Sequence, residues 1–141
     1  MADQNQVDIS ERLADVIFFA LDQGIDSVRS SGGPLIPFVV FDRSGQRDLK
    51  RFVAETLEGS QAEAREAIKM CPSDVASCAV AYDGYITVEG KKWDAVLVEA
   101  FERGRASGVC MAQRYVPKKL LRKFHTEGNA ALLGACETLL R

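Results

Sequence analysis

The chain has 141 residues, of which 47% are hydrophobic and 27% charged, and its net charge is −2. This composition is typical of one globular domain and excludes a disordered or fibrous chain. No apolar run approaches the roughly 20 residues that span a bilayer, and the N-terminus lacks the basic-then-apolar layout of a signal peptide. We therefore expect a flexible segment over residues 1–7, a single α+β domain over residues 8–141, a cytoplasmic location and no membrane partner.

The first part of the chain predicts a helix followed by two strands. Asp8 and Glu11 have the spacing of a capping box, so the helix should begin near Asp8, and the run 30–34 should end it. The continuous apolar run 35–42 predicts a strand that is buried on both faces. A tight turn at its end leads into a more polar strand at about 47–53, which we expect at the edge of the sheet.

A second helix and a β-hairpin are predicted next. Ser60 and Glu63 form a second capping box, and Pro72 should end that helix. Residues 77–88 then alternate between apolar and mixed positions, and residues 91–103 return after a turn. The resulting register makes three cross-strand pairs on one face, Ile86–Trp93, Tyr82–Leu97 and Cys78–Phe101.

Glu99 is the charged residue that this pattern places on an apolar face, beside Val80. A desolvated carboxylate would have a raised pKa and could act as an acid or a base. More often such a residue is paired with an arginine, and Arg114 on the next strand is the natural partner.

The last part of the chain predicts a fifth strand and a third helix. Residues 109–116 supply the strand, and Pro117 suits the first position of a short helix over residues 118–124. Leu120, Leu121 and Phe124 would then face inward. Beyond His125 a helical pattern continues, although two glycines interrupt it.

These elements predict an α+β fold with one five-stranded antiparallel sheet and the order α-β-β-α-β-β-β-α. In element order, though in no residue motif, the chain resembles the roadblock, longin and profilin-like modules and, more loosely, the PAS-type sensors. The resemblance implies a module that acts by protein–protein contact. Three helices leave apolar surface uncovered, which favours a homodimer.

The candidate binding residues form a basic cluster near the C-terminus. They are Arg114, Lys118, Lys119, Arg122 and Lys123. Such a cluster could contact phosphates or an acidic partner, whereas the alternatives are a solvated helix face or a contact with the acidic first helix.

Motifs for catalysis and metal binding are weak. Glu89 and Lys91 match the E-x-K element of metal-dependent nucleases, but they flank Gly90 at a turn, so their side chains should diverge. His125 lacks a partner at a diagnostic spacing, the four cysteines form no CxxC pair, and there is no phosphate-binding loop. We expect no catalytic residue, no metal and no cofactor.

Three functions remain open. The first is a non-enzymatic protein-interaction or assembly module. The second is a nucleic-acid or acidic-ligand binder that uses the basic C-terminal region, although the acidic balance of the chain disfavours nucleic acid. The third is an enzyme of unrecognised type built around Glu99 and Tyr82.

Overall fold

One antiparallel sheet and two helices make up the computed structural model, which describes residues 9–141. In chain order the elements are α1 (Glu11–Ser31), β1 (Phe38–Arg43), β2 (Gln46–Arg51), α2 (Leu57–Lys69), β3 (Ser77–Val88), β4 (Lys91–Glu102), β5 (Ser107–Val116) and β6 (His125–Glu137). The strand order across the sheet is β2-β1-β3-β4-β5-β6. The predicted α+β class is confirmed, and the predicted five strands and three helices are wrong.

The third helix is replaced by a tight turn between β5 and β6. The Lys119 N–H donates to the Arg122 carbonyl at 2.9 Å, and the Arg122 N–H donates to the Lys119 carbonyl at 3.0 Å. The two strands on either side pair along nearly their whole length, from Ser107–Glu137 to Val116–His125. That ladder requires the chain to reverse direction between them, and it outweighs a short run of helical spacing.

The helical pattern beyond His125 is strand β6. Gly128 and Gly134 have φ values of +67° and +134°, which side-chain-bearing residues rarely adopt. The register with β5 shifts beside Met111 and again beside Ala112. The glycines that interrupt the helical pattern thus belong to an irregular edge strand.

Helix α1 covers one face of the sheet. Ser10 is its N-cap, and the hydroxyl accepts a hydrogen bond from the Leu13 N–H at 3.1 Å. The predicted start at Asp8 lies outside the described residues. The helix ends at Ser31. Gly32 is its C-cap and adopts the left-handed conformation, with a φ of 85°. Its buried residues are Leu13, Val16, Ile17, Ala20, Leu21, Gly24, Ile25 and Val28. They pack on sheet residues that include Phe38, Val40, Ala79, Ala81, Val96, Val98 and Met111.

Helix α2 lies on the opposite face and begins earlier than predicted. Thr56 is the N-cap and accepts from the Gly59 N–H at 2.9 Å, so the predicted capping box at Ser60 is wrong. Ser60 lies one turn inside the helix, where its buried hydroxyl donates to the Thr56 carbonyl and accepts from the Ala54 N–H. The helix packs on β1 and β3 through Ala64 and Ile68.

The β3–β4 hairpin has the predicted register. Ile86 lies opposite Trp93, Tyr82 opposite Leu97, and Cys78 opposite Phe101. The same register places Glu99 opposite Val80, as predicted. Strand β2 lies at one edge of the sheet, also as predicted.

Gly108 tests how tightly β5 packs on β4 near the turn that joins these two strands. A Cβ at this position would lie 2.5 Å from a ring carbon of Phe101, which is fully buried, and 2.9 Å from the Ala100 carbonyl oxygen. Because neither atom has room to move, we expect Gly108→Ala to lower the free energy of unfolding by about 1–3 kcal/mol. Urea denaturation followed by circular dichroism measures this loss.

The matched control is Ser107→Ala at the neighbouring exposed position in the same strand. Substitutions of this kind at the surface change stability by less than about 0.5 kcal/mol. A Gly108→Ala variant as stable as the control would show that the packing around Phe101 is looser than described.

Candidate functional site

Glu99 forms an ion pair with α2 across the sheet face. Both carboxylate oxygens of Glu99 accept hydrogen bonds from the Arg65 guanidinium, at 2.9 and 2.7 Å. The Tyr82 hydroxyl donates to the Oε2 atom at 2.6 Å. The predicted pairing of Glu99 with Arg114 is therefore wrong. Arg114 lies opposite Ala95, which precedes Glu99 in β4, and its side chain contacts the ring of Trp93 instead.

The Glu99 carboxylate is held in its ionised form. Burial alone would raise its pKa, but the hydrogen bonds from Arg65 and Tyr82 outweigh burial and lower the pKa below its usual value. Burial and the neighbouring carboxylate raise the pKa of Tyr82. A general acid or base near neutral pH needs the opposite shift at the carboxyl group. The arrangement is suited to joining α2 to the sheet.

Beyond this ion pair lies a part of the sheet that no helix within residues 9–141 covers. We call it the uncovered half-face, and its residues are Tyr82, Ile86, Trp93, Ala95, Leu97, Cys110, Ala112 and Arg114. Ala95 and Ala112 are buried beneath their larger neighbours, whereas Ile86 and Trp93 are partly exposed. The Trp93 ring has the Lys91 ammonium at 3.9 Å and the Arg114 guanidinium at 5.0 Å from its centre.

Four of the five predicted binding residues lie together in the turn between β5 and β6. We call residues 118–123 the basic turn, which carries Lys118, Lys119, Arg122 and Lys123. All four side chains are exposed, and none forms an ion pair with a residue of the described range 9–141. The fifth predicted residue, Arg114, belongs instead to the uncovered half-face.

The two leucines of the basic turn point away from the core. Leu120 is 98% exposed and Leu121 is 99% exposed, so the prediction that both face inward is wrong. Phe124 does face inward. Its ring stacks on Tyr115 with 5.6 Å between the ring centres, and the Arg29 guanidinium of α1 lies 5.2 Å from its centre. The base of the turn is therefore fixed to the body of the protein.

A cavity of about 360 Å³ opens beside the end of α1. Asp83 lies in it and accepts hydrogen bonds from the Leu35 N–H at 2.7 Å and from the Tyr115 hydroxyl at 2.9 Å. Burial raises the pKa of Asp83, and these hydrogen bonds partly offset the rise. Both oxygens are engaged by donors of the protein itself, so Asp83 fastens the segment after α1 to β3 and β5.

Comparison with protein-family models, with curated proteins and with solved structures found no match to this chain. Neither helix of the described residues is long and apolar enough to cross a membrane. Residues 9–141 contain no group of three or more acidic, histidine or cysteine side chains placed to hold a metal ion.

The Glu99 ion pair predicts a pH-dependent loss of stability on substitution. At neutral pH, Glu99→Gln should lower the free energy of unfolding by about 2 kcal/mol, because charge-assisted hydrogen bonds are lost and Arg65 keeps an unbalanced, partly buried charge. The pKa of Glu99 is lowered in the folded state, so the stabilisation is present above the usual pKa of a glutamate and is lost as the pH falls through the folded-state pKa. Urea denaturation at neutral pH and at several acidic pH values measures both effects.

The exposed pair Asp26–Arg29 supplies the control. Because exposed pairs contribute little, Asp26→Asn should change stability by less than about 1 kcal/mol. If the difference between wild type and Glu99→Gln stayed constant down to low pH, the carboxylate would not be the stabilising group.

Proposed function

We propose that this chain is a non-enzymatic assembly module that pairs with a second copy of itself through the uncovered half-face. The observation that supports the proposal is which parts of each sheet face the two helices pack against. Helix α1 packs along one face, whereas α2 packs on β1 and β3, and no helix within residues 9–141 covers the far half of the face on which α2 lies. Apolar surface of this kind is a common site of association.

The composition of the half-face suits a protein interface. It combines Trp93, Tyr82 and Arg114, which are the residue types that most often dominate binding energy at such surfaces. The partly exposed Ile86 adds aliphatic area beside them, whereas Leu97 is buried. The polar groups at its border, Glu99 and Arg65, already pair with each other and require no partner.

A second copy is the simplest occupant, because it presents the same patch. In a two-fold dimer each copy contributes identical residues, and two sheets packed face to face bury their apolar residues between them. The proposal includes a cytoplasmic location. All four cysteines are free thiols, as is usual in a reducing compartment.

The dimer proposal predicts that a charge on the half-face will produce monomers. Ile86→Asp places a carboxylate at a partly exposed position on this face, where burial against a second copy would desolvate it. Light scattering coupled to size-exclusion chromatography should give twice the chain mass for the wild type and the single chain mass for Ile86→Asp at the same concentration.

The control is Thr87→Asp, which adds the same charge at the next residue of β3 on the other side of the sheet. It should remain dimeric. Circular dichroism checks that both variants are folded. A monomeric wild type, or dissociation of both variants alike, would contradict the proposal.

A second candidate function, binding of an acidic ligand, is favoured by one observation. The four cations of the basic turn are exposed and unpaired within the described chain. If they bind phosphates, reversing their charge should abolish retention on an anionic column, and retention of the wild type should fall steeply with salt. Unchanged retention after charge reversal would eliminate this function.

A further inference from the structure

The tip of the basic turn combines features that neither a turn nor a solvated cationic loop requires. Leu120 and Leu121 are the two central residues, and they are 98% and 99% exposed. The turn is closed on either side of them by the paired Lys119 and Arg122 backbones. Turn positions of this kind are usually occupied by Gly, Asn, Asp, Ser or Pro, because these residues fit the backbone conformation of a turn. Leucine has no such conformational advantage there. Two adjacent aliphatic side chains are thus held almost entirely in water.

Charges surround these leucines in a fixed order. Two cations, Lys118 and Lys119, come directly before them, and two more, Arg122 and Lys123, come directly after. No acidic residue lies between Arg103 and Glu127. The turn therefore has an apolar tip and a cationic base. An anionic bilayer has the complementary order, with charged headgroups outside and hydrocarbon beneath.

The β3–β4 turn brings further groups of the same kind to this end of the sheet. Asp94 pairs with Tyr115, so the start of β4 lies beside the end of β5, from which the basic turn continues. Lys91 and Lys92 are at the start of β4, and their ammonium groups lie over the rings of Trp93 and Tyr85. Tryptophan, tyrosine and lysine are the side chains that favour the headgroup region of a membrane.

We propose that the basic turn is a peripheral contact site for a bilayer that contains anionic lipids. Leu120 and Leu121 enter the margin of the hydrocarbon, while the four cations bind headgroup phosphates and carboxylates. The stack of Phe124 on Tyr115 holds the turn in place. The expectation of no membrane partner rested on the lack of a spanning segment, and a contact of this kind needs none.

A bilayer accounts for the leucines, and a nucleic acid does not. Phosphate binding requires the cations alone, and bases stack on aromatic rings rather than on aliphatic tips. The nearest ring, Phe124, is already stacked on Tyr115 inside the protein. The basic turn shares no residue with the uncovered half-face, so its contact with a bilayer does not depend on dimer formation.

Vesicle co-sedimentation tests the apolar part of the site. The probe is vesicles of equal parts phosphatidylcholine and phosphatidylserine, with pure phosphatidylcholine vesicles in parallel. We expect wild type to bind the mixed vesicles and to bind pure phosphatidylcholine much less. Replacing Leu120 and Leu121 together with serine should weaken the binding by at least about tenfold, because their hydrophobic transfer is lost. The control replaces Leu132 and Leu133 of β6, which are 48% and 46% exposed, and should leave binding unchanged.

Charge substitutions test the electrostatic part in the same assay. Lys118→Gln and Lys119→Gln should each weaken binding to the mixed vesicles about fivefold. High salt should also weaken this binding, because it screens the attraction between the cations and the headgroups. The control pair is Lys50→Gln and Arg51→Gln, which remove two exposed cations from β2. Neither control should alter vesicle binding.

Three results would overturn the proposal. The first is no wild-type binding to the mixed vesicles. The second is binding that depends on the cations while the Leu120 and Leu121 substitutions have no effect. The third is tighter binding to an oligonucleotide than to vesicles, with the same insensitivity to the leucines, which would assign the turn to nucleic acid instead.

Discussion

The pairing of β3 with β4 positions two partly buried carboxylates of this molecule, Asp83 and Glu99. Each strand contributes twelve residues, and every one of them is paired, from Ser77 with Glu102 to Val88 with Lys91. Side chains along a strand alternate between the two faces, so this single register decides which face each charged residue occupies. It places Asp83 on the α1 side and Glu99 on the α2 side. A slip of one residue would exchange the faces of both carboxylates and separate each from its partners.

Those two carboxylates hold the two sides of the fold together by different means. Asp83 accepts hydrogen bonds from a backbone N–H and a tyrosine hydroxyl, and burial raises its pKa. Glu99 accepts from a guanidinium, and its pKa is lowered despite burial. The difference follows from the partners, because Glu99 has a cation at hydrogen-bond distance whereas the donors to Asp83 are neutral and only partly offset its burial.

A structural element can be predicted from this sequence when the residues that determine it lie within one short segment. The hairpin from Ser77 to Glu102 was predictable, because alternation and a glycine turn both lie within one segment. The third helix was not. Leu120, Leu121 and Phe124 have helical spacing, but pairing of β6 with β5 decides the conformation there, and β6 itself has a weak pattern. Likewise, the sequence identifies the basic residues of the candidate site. It does not predict the outward orientation of Leu120 and Leu121, because that orientation depends on the pairing of β6 with β5.

Arg65 shows the same limit at the level of one contact. The sequence shows that Glu99 needs a cationic partner, and it favours Arg114 because that arginine lies on the neighbouring strand. The actual donor is on α2, 34 residues away, and its position depends on how a helix that begins at Leu57 lies across the sheet. Sequence spacing defines a face of a helix, but it does not define which strand that face meets.

The net negative charge of the chain is compatible with a cationic membrane contact because charges act over short distances. At physiological salt the Debye length is about 8 Å, so an anionic surface responds to the groups nearest to it. The 21 residues of α1 span about 30 Å, and its acidic first turn, with Glu11, lies at the opposite end of the sheet from the basic turn. Ser10, at that start, donates to Glu102 at the end of β4, whereas Arg29 in the last turn contacts Phe124. The first turn of α1 and the basic turn therefore lie at opposite ends of the sheet, and the exposed leucines belong to the basic turn.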